Sequence, residues 1–248
     1  MRLVFLSALI LLAIVDLASS QTIDISSGRT ANQPVYRPAL LGTGPNALIN
    51  RIDTLDLIKK GQKDAAIMFT CTVKKTGEIV WSGTYRGTAD SKLLEEELHK
   101  KLADAKFVPG IYNREPVDAI YYGTVTFALV DGKPRLRIFS NQETKELEKE
   151  TDFVGPQPFF GGDSKFAGLQ YPVDEAPVLV SATVELDLKI DETGNLTDIK
   201  LRTEKPPFLG FGESALASFR NAKFIPAFRD GKPVACAITL PVYYQRKD

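Results

Sequence analysis

The sequence predicts an α+β chain of two tandem β-β-α-β domains, each a helix packed on a small antiparallel sheet, and three observations carry that prediction. Ala105-Lys106-Phe107-Val108-Pro109 with Pro116-Val117 returns as Ala222-Lys223-Phe224-Ile225-Pro226 with Pro233-Val234, at an offset of 117 residues. The same offset lays Thr76-Gly77 on Thr193-Gly194, so the likeness gathers at turns, as expected of a repeated supersecondary unit. In both copies two alternating apolar runs around a glycine turn are followed by a helical pattern, which gives two strands and then a helix.

From the start of the chain, Met1-Arg2 leads into an apolar run from Leu3 to Val15, followed by Ala18-Ser19-Ser20-Gln21. The run is short of the ~20 residues a membrane-spanning helix needs, and small residues stand at the minus-three and minus-one positions of a cut before Gln21. Residues 1–20 are therefore read as a secretory signal, which makes the mature chain periplasmic or secreted; an uncleaved inner-membrane anchor is the alternative. Residues 21–45 read as a polar leader without periodicity. Across Asn46 to Lys60, Leu48, Ile52 and Leu55 fall at helical spacing, Pro45 suits the first turn, and Lys59, Lys60 and Gly61 suit the C-terminal end. One short amphipathic helix is expected there.

The first repeat, assigned with that helix to 46–140, opens with an alternating strand in which Cys71 shares a face with Ile67, Phe69 and Val73. A turn at Lys75-Thr76-Gly77 makes a hairpin. Asp90 or Ser91 can cap a helix with Leu94, Leu98 and Leu102 four apart, acidic residues early and Lys100-Lys101 late. In Phe107-Val108-Pro109 the proline ends the helix reproducibly, and Phe107 is an apolar anchor for a domain of about 80 residues, which needs one. After the final strand, Asp118 to Leu129, the turn Asp131-Gly132 leads to an alternating run through Phe139 that adds a hairpin strand and could cover this domain's edge. Residues 141–170, charged and then rich in Gly, Pro and Phe, form a linker whose Phe159-Phe160 is expected to dock on a domain. In the second repeat, 171–248, Gly194, Phe224 and Pro226 take the roles of Gly77, Phe107 and Pro109. Pro206 to Gly212 is a loop grown at the expense of the helix, expected over Glu213 to Asn221.

The 31 basic and 31 acidic residues balance, so no electrostatic footprint for nucleic acid or an anionic membrane exists. The two cysteines, Cys71 and Cys236, lie in different repeats within alternating strand patterns and read as buried thiols, an inter-domain disulfide being the alternative. One histidine, His99, and two separated cysteines make no zinc cluster, and no nucleophile elbow or phosphate loop is present. No catalytic residue, metal site or cofactor is expected. Asn195-Leu196-Thr197 fits a glycosylation acceptor pattern and equally a turn.

Tyr171-Pro172, the strand Ala182 to Ile190, Asp191-Glu192-Thr193-Gly194, Ala215-Leu216-Ala217, Phe224-Ile225-Pro226-Ala227, Asp230-Gly231-Lys232-Pro233-Val234 and Leu240-Pro241-Val242 together resemble the C-terminal domain of TonB proteins. The first repeat, about 62 to 128, resembles it more faintly, keeping Gly77, Phe107-Val108-Pro109 and Pro116-Val117. The resemblance implies a helix on a three-stranded antiparallel sheet and a partner's extended peptide accepted beside the last strand. Here that strand carries Ala235, Cys236, Ala237, Ile238, Thr239, Leu240, Val242 and Tyr244, whose edge would offer backbone groups for strand addition. The implied partner is an envelope protein, with a TonB-dependent outer-membrane transporter as the candidate, and the function is transport-related protein binding. The family's energy transducers carry a histidine-bearing membrane anchor and a long Pro-rich span, and neither pattern is read here. Two alternatives stand beside this: a structural protein that uses its edges in a homodimer or filament, and an enzyme with an unrecognised carboxylate site, which a polar cleft holding two close acidic residues would favour.

Overall fold

The computed structural model describes residues 33–172 and 180–245; the signal assigned to 1–20 lies outside them. In chain order the elements are β1 (Tyr36–Arg37), α1 (Leu48–Arg51), α2 (Thr54–Lys59), β2 (Ala65–Val73), β3 (Ile79–Gly87), α3 (Lys92–Leu102), β4 (Gly110–Tyr112), β5 (Glu115–Val130), β6 (Lys133–Phe139), α4 (Thr144–Lys149) and β7 (Gln157–Phe160). They continue with β8 (Ala182–Ile190), β9 (Leu196–Lys205), α5 (Phe211–Phe219), β10 (Phe224–Ile225), β11 (Ala227–Arg229), β12 (Lys232–Val234) and β13 (Cys236–Tyr244). The mixture of helices and antiparallel sheets is the α+β class read from the sequence. Among the described residues no helix is long and apolar enough to cross a membrane.

The two halves share a topology. β5, β2 and β3 lie in that order in the first half, and β13, β8 and β9 in that order in the second. The β2–β3 pairing slips in register between Thr72 and Val73, and the β8–β9 pairing slips between Lys189 and Ile190, the same point after the offset of 117 residues. Each sheet lays alternate residues against its helix. Ile67, Phe69, Cys71 and Val73 pack with Leu94, Leu98 and Leu102, while Val184, Leu186, Leu188 and Ile190 pack with Phe211, Ala215 and Phe219. Burial of such a side chain stabilises by about 1.5–3 kcal/mol, so period-2 strands facing a period-3.6 helix set the register.

The repeated turn residues meet each other. Gly77 has φ +82° and its carbonyl accepts from Phe107 N (2.9 Å); Gly194 has φ +86° and accepts from Phe224 N (2.9 Å). A Cβ at either glycine would overlap the carbonyl oxygen of that phenylalanine. Thus Gly77, Phe107 and Pro109, and Gly194, Phe224 and Pro226, form one structural contact in each half, where the chain after the helix crosses the hairpin turn.

Several expectations are corrected. The helix expected from Asn46 to Lys60 is two short helices, because the Asp53 side chain accepts from Leu55 N (3.1 Å) and Asp56 N (2.9 Å) and so starts a new helix. Leu55 is consequently 65 % exposed, and Leu57 is buried in its stead. Ser91 stands at the start of α3 without a side-chain cap bond. The helix expected from Glu213 starts at Phe211 and ends at Phe219. The stretch read as a polar leader is docked from Tyr36 on: β1 pairs with β4, and Ala39 exchanges hydrogen bonds with the Gln157 side chain (2.7 and 3.0 Å). Backbone pairing to distant strands leaves no hydrophobic period to read.

The hairpin strand after the first repeat forms as expected. β6 pairs with β5 from Thr124 to Val130 through a turn in which Asp131 and Gly132 both have positive φ (51° and 73°). The linker docks as well: Phe159 is buried, and β7 pairs with both β5 and β10. Phe159, Ile225, Phe228, Tyr112 and Ala119 make a small third core between the halves.

Candidate functional site: the β13 edge and the cleft beside it

β13 is the outer strand of the second sheet, paired with β8 without a break from Cys236↔Ile190 to Tyr244↔Ala182. β3 and β9, the other outer strands of this repeated three-strand core, each slip in register twice, and bulges of that kind discourage strand addition. A regular nine-residue edge is the better template.

The backbone groups of β13 alternate in direction. Thr239 N donates to Glu143 Oε2 (3.2 Å), away from β8. By alternation Ala237, Pro241 and Tyr243 also face outward, while the amides of Cys236, Ile238, Leu240, Val242 and Tyr244 face β8. Pro241 fits this assignment because it has no amide to give and tolerates only the outward side. Of the residues expected to bind a partner, Ala237 and Thr239 therefore carry outward groups, and Ala235 sits just before the strand, exposed. Cys236, Ile238, Leu240, Val242 and Tyr244 instead supply the inner ladder and pack toward the second core. Pro241 and Tyr243 belong to the outward set and were not in the expected one. The signal was in the sequence: a proline inside a strand pattern fixes which parity faces out.

The first half occupies the matching edge with its own chain. The side of β5 away from β2 pairs with β7 at Asp118–Ala119 and with β6 from Thr124 onward. At β13 no strand is added among the described residues. Its outward side faces residues 141–156 and the first sheet, with Tyr85 stacked on Tyr243 (centroids 5.5 Å apart, 14° between planes).

Beside β13 lies a cleft of about 830 Å³ between the open face of the second sheet, α4 and the first half. Several of its charges are mutually paired. Arg202 reaches Asp187 (3.3 Å) and Thr239 Oγ1 (2.6 Å), Lys189 and Lys200 flank Asp198 (3.7 and 3.3 Å), and Arg86 bonds Glu185. The enzyme alternative asks for two close acidic residues in such a polar cleft, and a general acid further needs a carboxyl held protonated near neutrality. The Arg86 guanidinium instead moves Glu185 below the usual carboxylate range. Elsewhere, Thr84 Oγ1 lies 2.6 Å from Glu95 Oε1 and 2.7 Å from His99 Nε2. Both groups meet the same hydroxyl, and the carboxylate does not orient the far side of the ring, so a nucleophile-base-orienter relay is not formed. Among the described residues no group of three or more His, Cys, Asp or Glu could hold a metal ion.

Cys71 and Cys236 are free thiols; Cys71 is buried in the first core as expected, whereas Cys236, expected to be buried, is half-buried and packs against the second. Asn195 belongs to its turn, donating Nδ2 to Asp191 Oδ2 (2.9 Å) and to Thr193 Oγ1 (2.8 Å).

No curated protein and no solved structure matches the chain. Residues 167–245 match the family model described as Gram-negative bacterial TonB protein C-terminal, which is the stretch whose motifs carry the resemblance.

Proposed function

We propose that the protein is an exported binding module of the bacterial envelope whose second domain pairs an extended segment of a partner with β13. A TonB-dependent outer-membrane transporter is the candidate partner, and the protein works in the periplasm after loss of residues 1–20. One observation carries the reading: the equivalent edge in the first half is filled by strands of the same chain, whereas β13 ends its sheet with Thr239 N held by a lone side chain. An edge of this fold accepts a strand, and on β13 the place is left for one from outside. Backbone pairing supplies affinity in such binding and alternate side-chain contacts supply selectivity. The family match supports an envelope protein-binding role for this domain. The first domain, read as a diverged copy of the same module, has its edge closed and serves as the support.

The test is capture of envelope proteins by the mature chain and by an Ala237→Pro variant, which removes an outward donor and leaves the β8 ladder intact. Loss of a captured transporter in the folded variant supports strand addition. Equal capture by both forms, or no capture, refutes it. Ile238→Pro, by contrast, would damage the sheet itself, because the Ile238 amide faces β8.

A further inference from the structure

We infer that this structure is the closed state of the β13 edge, in which residues 141–153 and the back face of the first sheet shield the groups that a partner strand needs; the inference rests on the reading of β13 as the docking edge. Glu143 Oε2 sits 3.2 Å from Thr239 N, the place that a carbonyl of an added strand would take. The carboxylate is thus a one-atom imitation of the partner.

Both sides of the molecule hold Glu143 there. Its neighbour Gln142 is buried and belongs to the first half: Nε2 donates to Phe69 O (3.0 Å) and Gly123 O (3.2 Å), and Oε1 accepts from Tyr85 Oη (2.5 Å). Three residues beyond Glu143, Glu146 accepts both guanidinium nitrogens of Arg229 in the second half (2.5 and 3.1 Å). That guanidinium lies 5.0 Å over the ring of Phe153. Farther along β13, the stack of Tyr85 on Tyr243 covers the next outward residue that has an amide. Ala237 alone of the outward residues is exposed.

The consequence is competition. An incoming strand can begin at Ala237, but it gains the Thr239 and Tyr243 positions only as Glu143 and Tyr85 withdraw. Apparent affinity is then the intrinsic affinity reduced by the fraction of open molecules, so loosening residues 141–153 raises it and locking them abolishes it. Nothing in the mechanism requires the second domain to refold. Its nine-pair ladder with β8 is the same in both states.

Two measurements on the full mature chain test this. The first is amide hydrogen exchange by NMR in the parent and in Glu143→Ala, with the Phe224 amide, held by Gly194 O, as the reference. Exchange at Thr239 faster by about tenfold or more with Phe224 unchanged is expected from the loss of a charge-assisted bond. Unchanged exchange at Thr239 overturns the inference. The second uses Tyr85→Cys with Tyr243→Cys in a Cys236→Ala background, oxidised or reduced, in capture from outer-membrane extract. Capture lost on oxidation and regained on reduction supports the closed state. Equal capture by both forms overturns it, as does failure of the oxidised pair to cross-link. No capture in either form, with the cross-link formed, refutes the docking edge itself and takes this inference with it.

Discussion

Replacing Gly194 by alanine tests whether the repeated glycine is a turn residue only or a tertiary contact. Its φ of +86° lies in the left-handed region, which disfavours a residue with a Cβ by about 1–2 kcal/mol. The new methyl would also overlap the Phe224 carbonyl, displacing the strand whose amide bonds Gly194 O. Leaving that buried amide unpaired costs about 1–3 kcal/mol more, for a total of about 2–5 kcal/mol. Gly231 is the control: φ is +70° and nothing lies within 4 Å of the added Cβ, so only the strain of about 1–2 kcal/mol applies. For a chain of this size each kcal/mol moves the melting temperature by about 2–4 °C. Thermal and urea unfolding followed by far-UV circular dichroism should therefore rank Gly194→Ala well below Gly231→Ala. Gly77→Ala, with the same overlap on Phe107, should repeat the loss in the first domain. Equal losses at Gly194 and Gly231 would refute the contact argument and reduce the repeated glycine to turn chemistry.

Burial pushes the Asp191 carboxyl up, but four hydrogen bonds from Asn195 and Thr193 outweigh it and hold the group at about 2. Because the folded value is depressed, its stabilisation is full above the ordinary carboxylate value and is lost as pH falls from about 4 toward 2; Asp191→Asn should flatten that part of a stability-versus-pH curve. Glu204 Oε1 accepts from Leu209 N and Phe211 N (3.1 Å each) and thereby fixes the loop entering α5. Glu204→Ala should cost about 1–3 kcal/mol and raise amide exchange at those two residues, while an unchanged pattern would remove the carboxylate from this role. Burial pushes the Cys71 thiol well up and that of Cys236 to about 12, so neither should react with a thiol reagent at pH 8 until the chain unfolds; fast labelling of the native protein would contradict the packing described.

Legibility followed the range of the interaction. Leu94, Leu98 and Leu102 announce α3, and the alternation through Cys71 announces β2, because such patterns record one buried face of one element. The split at Asp53 and the docked strand Tyr36–Arg37 were not legible. The first is a side chain competing for backbone amides, and the second is a polar segment held by residues more than seventy positions away. At the candidate site, the last strand and its edge position could be foreseen, but a sequence pattern reports side-chain faces and not the direction of amides. Only Pro241 carried that information, and it points outward with Ala237 and Thr239.

The sequence by itself determined the α+β class, the likeness of residues 167–245 to the TonB C-terminal family model and the inner faces of both sheets, since periodicity and turn chemistry are local. What only the tertiary structure decided is how the two domains meet. Glu143 against Thr239, Tyr85 on Tyr243 and Glu146 with Arg229 join residues 96, 158 and 83 positions apart. No periodicity encodes such pairs, because each is selected by the geometry of two finished surfaces; yet they set whether the edge of β13 is open or covered.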